Sequence, residues 1–162
     1  MKNWVTGTAS LLALLGFLSA SADSSPAPDP PKGEEYRAIV ETFFQKVKEG
    51  KPEDGVQYIM GMNPWMARKT DDVEQAKAGI GNLTAMLGEY HGNEMISEKR
   101  VGERFVHVTY FAYYDRQPLR FTFQFYKAKD AWMPYFFIYD DRFSSEITAG
   151  AIFDMMSPRP PR

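Results

Sequence analysis

The spacing of apolar residues along this chain changes once, near residue 90. Before that point, apolar residues recur three or four positions apart, as they do along the buried face of a helix. After it, they alternate with polar residues, as they do along a strand with one buried face. The pattern therefore predicts a helical first part followed by a sheet.

Three helices are predicted before residue 90. The first begins near Glu34 and ends at Gly50, the second begins at Pro52 and ends at Gly61, and the third begins at Asp71 and ends at Gly88. Proline suits the first turn of a helix and glycine suits its end, so these residues mark the boundaries. Residues 60–65 are predicted to form a loop because they include glycine, asparagine and proline.

Four strands are predicted over residues 93–101, 104–114, 119–127 and 131–139, with short links between them. Consecutive strands with short links form antiparallel hairpins. Helices followed by such a meander predict an α+β domain, in which three helices pack on one face of a four-stranded antiparallel sheet.

The N-terminal 22 residues are predicted to be a secretory signal peptide. Lys2 gives a positive start, residues 11–18 are apolar, and residues 20–22 form an A-x-A cleavage site. The apolar run is about half of the roughly 20 residues of a membrane-spanning helix, so no span is expected after cleavage, and a retained anchor is the alternative. The chain has no cysteine, which excludes lipid attachment at this site and fits export to the bacterial periplasm or the exterior.

A linker, one domain and a tail are predicted after the signal. Residues 23–33 contain four prolines and no large apolar residue, which favours an extended linker. The domain is assigned to residues 34–145, and a partly flexible tail, in which a short helix is an alternative, to residues 146–162. The net charge of −2 is not typical of a surface that neutralises phosphates, so nucleic acid is not an expected partner.

Three stretches carry a resemblance to a known superfamily: the opening helix EEYRAIVETFFQKV, the helix end LGEYHG, and the run VGERFVHVTYFAYYDRQPLRFTFQFYKAKDAWMPYFFIYDD. Their order, and a tryptophan just after a hairpin turn, resemble the nuclear transport factor 2-like (cystatin-like) superfamily of small α+β domains. The resemblance implies a curved sheet that encloses a conical cavity under the helices, and dimerisation through the outer face of the sheet. The superfamily includes enzymes, binding proteins and structural modules, so the resemblance selects no activity.

Alternation along the second and third strands divides their residues between two faces. If Tyr114 lies opposite Leu119, the hairpin pairs Ala112 with Phe121, Tyr110 with Phe123 and Val108 with Phe125. This nearly apolar face is expected to lie under the helices. The other face is mixed and rich in aromatic residues: Phe105, His107, Thr109, Phe111 and Tyr113 face Arg120, Thr122, Gln124 and Tyr126.

The register of the fourth strand stays open at this point. A three-residue and a four-residue turn after Lys127 direct opposite sets of side chains inward. One set is Trp132, Phe136 and Ile138, and the other is Met133, Tyr135, Phe137 and Tyr139. Both sets are apolar enough to be buried, as expected of a sheet covered on two sides.

The aromatic residues suggest a site for an apolar ligand and a surface for a second subunit. The predicted ligand site has Tyr58, Met62 and Trp65 at its lip and Tyr110 and Phe123 in its wall. The predicted homodimer interface lies on the outer face of the sheet and comprises His107, Phe111, Tyr113 and Tyr126. The alternatives are that the C-terminal tail covers this face or that it is simply exposed.

Few residues suggest catalytic chemistry. No Ser/His/Asp arrangement, phosphate-binding glycine loop or histidine-rich metal spacing is present in the sequence, so no catalytic residue, metal or cofactor is predicted. The closely spaced methionines of residues 60–66 allow a Cu(I) alternative. The sequence thus predicts an exported, non-catalytic module that binds a small apolar ligand or a protein partner. One alternative is a small acid–base enzyme that uses Asp140 with Tyr110 or Tyr58, and another is a structural homodimer.

Overall fold

Helices precede a single antiparallel sheet in the computed structural model, which describes residues 34–156. The elements are α1 (Glu35–Lys48), α2 (Pro52–Gly61), α3 (Pro64–Ala67), α4 (Thr70–Leu87), β1 (Tyr90–Val101), β2 (Phe105–Tyr114), β3 (Leu119–Tyr126), β4 (Met133–Asp140) and α5 (Phe143–Met156). The strands pair in the order β1-β2-β3-β4, so β1 and β4 are the edges. The predicted α+β class, with helices before a four-stranded antiparallel sheet, is confirmed.

The three predicted helices correspond to α1, α2 and α4, and two further helices are present. The single turn α3 lies in the segment predicted as a loop, and α5 spans the domain boundary predicted at residue 145. The predicted signal peptide, the linker and the last six residues of the tail lie outside the described residues. Within residues 34–156, no helix is both long and apolar enough to cross a membrane.

The core lies between the inner face of the sheet and α1 and α2. Phe43 of α1 is fully buried, and its ring centroid is 5.2–5.4 Å from those of Phe44, Phe121, Phe123 and Phe137. Aromatic rings at this separation interlock edge to face and leave little free space. Among the described residues, the conical cavity that the resemblance implies is therefore not shown between α1 and the middle of the sheet.

The predicted pairing of β2 with β3 was wrong by two residues. Tyr110 pairs with Phe121 and Val108 with Phe123. The link is longer than expected because the last residues of β2 pair with β1, and because proline at position 118 has no N–H to donate to a ladder. A shift of two residues leaves every side chain on its predicted face, since the side-chain period of a strand is two.

A bulge in β4 resolves the register that the sequence left open. Gln124 pairs with Phe136, whereas Phe125 pairs with Pro134, so Tyr135 is an extra residue. A bulge of one residue reverses the faces on its two sides. Trp132 and Pro134 therefore point inward before the bulge and Phe137 and Tyr139 after it. Each of the two sets of β4 side chains between which the sequence could not choose therefore contributes to the core, which explains why both sets are apolar.

Asp115 holds the junction between α4 and β1. Its carboxylate accepts a hydrogen bond from the Glu89 amide at 2.8 Å and contacts His91 Nε2 at 2.6 Å. Gly88 follows the last residue of α4, and there φ is +89° and a side chain would collide with Asp115. Glycine is therefore required at this turn by both backbone conformation and space.

Acid is expected to weaken this junction. The bonds from Glu89 and His91 hold the pKa of Asp115 below its usual value. A carboxyl with a lowered folded pKa contributes its full stability above the unfolded pKa of about 3.9, and that contribution is lost as the pH falls through the folded pKa. In urea unfolding, the free energy of unfolding should therefore fall less steeply below about pH 4 for Asp115→Asn than for the wild type. Parallel pH profiles of the two proteins would contradict this expectation.

Candidate binding groove

A groove of about 690 Å³ runs between β4 and the helices that follow α1. One wall consists of Met60, Met66, Ala76 and Gly79, and the rim carries Lys69, Asp72 and Gln75. The other wall is the run of five consecutive β4 residues from Tyr135 to Tyr139. Because consecutive residues of a strand point to opposite faces, a wall of this kind is the free edge of the strand itself.

Tyr139 fixes the distance between β4 and α4. Its hydroxyl donates a hydrogen bond to the Ala76 carbonyl at 2.9 Å. This hydroxyl lies where a side chain at position 79 would be, so Gly79 allows the close approach of the helix to the strand. Gly81 likewise leaves room for the Glu53 side chain of α2. Burial raises the pKa of Tyr139, which keeps the hydroxyl protonated and able to donate.

Asn63 attaches the methionine-rich segment to the same edge. Its side-chain oxygen accepts from the Trp65 amide at 2.9 Å, and its amide nitrogen donates to the Pro134 carbonyl at 2.6 Å. Asn63 is buried, and sequence reasoning assigned it only to a loop. The signal was available, because asparagine followed by proline is typical of a helix N-cap and first turn.

The structure does not bring the five predicted ligand-site residues into one pocket. Phe123 is 1% exposed and belongs to the core, while Tyr110 is half-buried against it, with ring centroids 6.1 Å apart. Tyr58 is half-buried beneath the ammonium group of Lys46.

Two of the three predicted lip residues, Met62 and Trp65, are open to solvent. Met62 is 37% exposed and Trp65 is 66% exposed, and neither lines the groove. Their neighbours Met60 and Met66 do line it. Residues 60–66 therefore reach the groove, but through different side chains from the two that the sequence suggested.

The four residues predicted for a dimer interface do share the outer face of the sheet, but they differ in their surroundings. Phe111 packs against Phe143 of α5, with ring centroids 4.6 Å apart. The Tyr113 hydroxyl donates to Glu94, and His107 lies half-buried within hydrogen-bond distance of Thr109. Tyr126 is exposed.

Asp140 also lies on the outer face. Both of its carboxylate oxygens accept from the Arg120 guanidinium, at 2.9 and 3.1 Å, and Arg120 also pairs with Glu146 of α5. Tyr110 points to the inner face, where it contacts Phe44. Asp140 and Tyr110 are therefore on opposite sides of the sheet and cannot act on one substrate.

A second hollow, of about 490 Å³, lies at the other end of α4. Its rim carries Lys48, Glu53 and Glu89, which makes it more charged than the groove beside β4. The buried Tyr114 hydroxyl beside it has no hydrogen-bond partner among the described residues, and burial raises the pKa of this group. An apolar ligand fits the β4 groove better, because its walls are aromatic and thioether groups.

The fold and the groove define an α+β domain with an apolar cleft along one edge of its sheet. No group of three or more His, Asp or Glu side chains within the described part of the chain could hold a metal ion. Neither a scan against models of protein families nor a search of curated proteins finds a match for this chain.

Proposed function

We propose that this chain is an exported, non-catalytic module, similar to nuclear transport factor 2-like domains, that binds a small apolar ligand in the groove between β4 and α4. The main support for this proposal is the apolar groove itself, whose walls combine Met60, Met66 and Phe137 with the fixed ring of Tyr139. Ligand sites are concave, mostly apolar and equipped with a few placed polar groups. The signal-like composition of residues 1–22 supports export.

The distribution of charged groups supports binding over acid–base catalysis. The carboxylate that the enzymatic alternative requires, Asp140, is held by Arg120 on the outer face. Glu98, on the inner face, is likewise bonded to Arg37 and Arg100. Burial by itself would raise the pKa of Glu98, but the bonds from the two arginines bring it below its ordinary value. A carboxylate that stays ionised in this way is a poor proton donor near neutral pH.

Binding in the groove can be tested with a matched pair of substitutions on α4. Ala76 lines the groove, whereas Ala78 is exposed two positions further on and points to another side of the helix. Ala76→Leu should weaken binding of the apolar dye 1-anilinonaphthalene-8-sulfonate by about tenfold, a change of about 1.4 kcal/mol, because the added atoms occupy the groove. Ala78→Leu should leave the affinity unchanged, as measured by fluorescence titration of the folded proteins.

Two results would count against this proposal. One is a wild-type protein that does not bind the dye, and the other is an equal effect of the two substitutions. Native mass spectrometry of the exported protein should also detect a retained apolar molecule, and the mass of that molecule should be lost in Ala76→Leu.

A further inference from the structure

The two edges of the sheet differ in how well they are protected from pairing. Both edges carry a bulge, at Ile96 in β1 and at Tyr135 in β4. The β1 edge also carries Glu94, Glu98, Lys99 and Arg100, and charges of this kind block the addition of a strand. The β4 edge has no charged residue between Met133 and Tyr139. An apolar edge strand of this length is a template for another strand.

Both edge strands expose apolar side chains, but those of β1, Met95, Ile96 and Val101, lie among charged residues, whereas those of β4 do not. Tyr135, Phe136 and Ile138 of β4 are all exposed. The part of the outer face near Phe111 is covered by Phe143, and Glu146 is bound to Arg120 beside it. Helix α5 therefore takes up a portion of the face through which the sequence predicted dimerisation, and no strand within residues 34–156 pairs with the outer edge of β4.

The free portion of the β4 edge is its second half. Asn63 already occupies the Pro134 carbonyl, and proline has no N–H to offer. The segment from Phe136 to Asp140 has Ile138 at its centre. An apolar ligand in the groove contacts the side chains of this strand and leaves its outward N–H and C=O groups unpaired, whereas a second strand supplies both donors and acceptors at the right spacing.

We propose that this occupant is β4 of a second copy of the chain, paired antiparallel about a two-fold axis near Ile138 to give an eight-stranded sheet. Antiparallel pairing brings the start of one β4, which follows Lys127, Lys129 and Asp130, toward the end of the other, where Arg120 is bound to both Asp140 and Glu146. With Asp141 and Arg142 included, the first flank is net positive and the second is net negative. A two-fold contact of this kind is self-complementary, because the same segment serves both copies.

Pairing has a consequence for the groove. The two-fold axis places the helices of both copies on the same side of the joined sheet, so the open sides of the two grooves face each other. The second copy then closes each groove beside Phe137 and Tyr139, which line it. This consequence rests on the proposed function, whereas the pairing of the strands does not.

The absence of cysteine from the sequence makes a direct test available. Residues opposite each other in an antiparallel pair have Cα atoms about 4.5–5.5 Å apart, which is within the range of a disulfide. Ile138→Cys should therefore give a cross-linked dimer on mild oxidation, seen on a non-reducing gel. Ile96→Cys is the matched control, because Ile96 is 44% exposed on the β1 edge and Ile138 is 46% exposed on the β4 edge. It should stay monomeric on the gel.

A second test introduces a charged residue at the proposed two-fold axis. Ile138→Lys sets two ammonium groups against each other and should weaken dimerisation by at least about a hundredfold, whereas Ile96→Lys should not change it. Sedimentation equilibrium measures both. Equal cross-linking of the two cysteine variants, or a wild-type monomer at micromolar concentration, would overturn the proposal.

The dye titration separates the two proposals. If the wild type is a monomer that binds the dye, the groove is supported as a ligand site and the strand pairing is wrong. If it is a dimer that does not bind the dye, the strand pairing is supported and the ligand site is wrong. If native mass spectrometry shows a wild-type monomer with an unrelated peptide bound, the strand that pairs with β4 comes from another protein. That result would overturn the pairing of β4 with itself.

Discussion

Phe43→Ala is expected to lower the free energy of unfolding by about 3–5 kcal/mol. Truncation of a buried phenylalanine loses the free energy gained by removing its ring from water, and it also leaves a cavity. The side chain is fully buried and its ring touches four other rings. The α2 backbone at Gly55 lies so close that a Cβ there would be 3.0 Å from the Phe43 ring. The cavity would therefore adjoin α1, α2 and the sheet at once, and no single element could close it.

Phe136→Ala is the matched control for this prediction. Phe136 lies on the outer face of β4 and is 41% exposed, so its replacement should cost less than about 1 kcal/mol in urea unfolding. If Phe43→Ala does not fold, Phe43→Leu should still cost more than Phe136→Leu, since only the first alters a packed site. Equal costs at the two positions would show that Phe43 is not the centre of the core.

Asn63→Ala is expected to lower the free energy of unfolding by about 2–4 kcal/mol. Loss of the cap on α3 contributes about 1 kcal/mol, and leaving the Pro134 carbonyl without its donor contributes about 1–3 kcal/mol. The site is buried, so water replaces neither bond at low cost. Asn82 is exposed on α4, and Asn82→Ala should change stability by no more than about 0.5 kcal/mol.

Asn63→Asp separates the two bonds of this side chain. A carboxylate keeps the acceptor for the Trp65 amide but loses the donor to Pro134, and it brings a negative charge toward that carbonyl. Asn63→Asp should therefore destabilise the protein at neutral pH although it is a good helix cap. A stability equal to the wild type would mean that the bond to β4 contributes nothing.

Because Asn63 ties α3 to the groove, Asn63→Ala should also weaken dye binding.

The positions of the helices and the inner face of the sheet could be predicted from residue spacing. Apolar residues of α1 recur at helical spacing, and Tyr36, Phe43 and Val47 among them are all buried. Alternation placed Phe121 and Phe123 under the helices, where they lie. These predictions depend only on the period of a helix or a strand, and neighbouring elements do not change that period.

The pairing register of the strands was harder to predict from the sequence than the faces of the helices and strands. Whether β2 continues with β1 or with β3 near Tyr113 depends on hydrogen bonds to residues about 20 positions earlier in the chain. The bulge at Tyr135 likewise depends on how β4 meets β3. Because both sets of side chains in β4 are apolar, hydrophobicity alone could not distinguish the alternatives.

The candidate site was predicted only in outline. The methionine-rich segment does reach a groove, but Met60 and Met66 line it and Met62 does not. Asn63 holds the single turn α3, which carries Met66, against Pro134. The placement of Asp140 on the outer face followed from its pairing opposite Arg120. Neither contact could be read from local spacing, since each joins residues at least 20 positions apart.

The sequence by itself determined the α+β class, the order of the elements and the face on which most aromatic residues lie, because short-range periodicity carries that information. Only the tertiary structure decided which aromatic residues fill the core, which line a groove and which stay exposed on the β4 edge. Those outcomes depend on one bulge and on a few hydrogen bonds between distant segments, and such contacts form only when the elements have packed together.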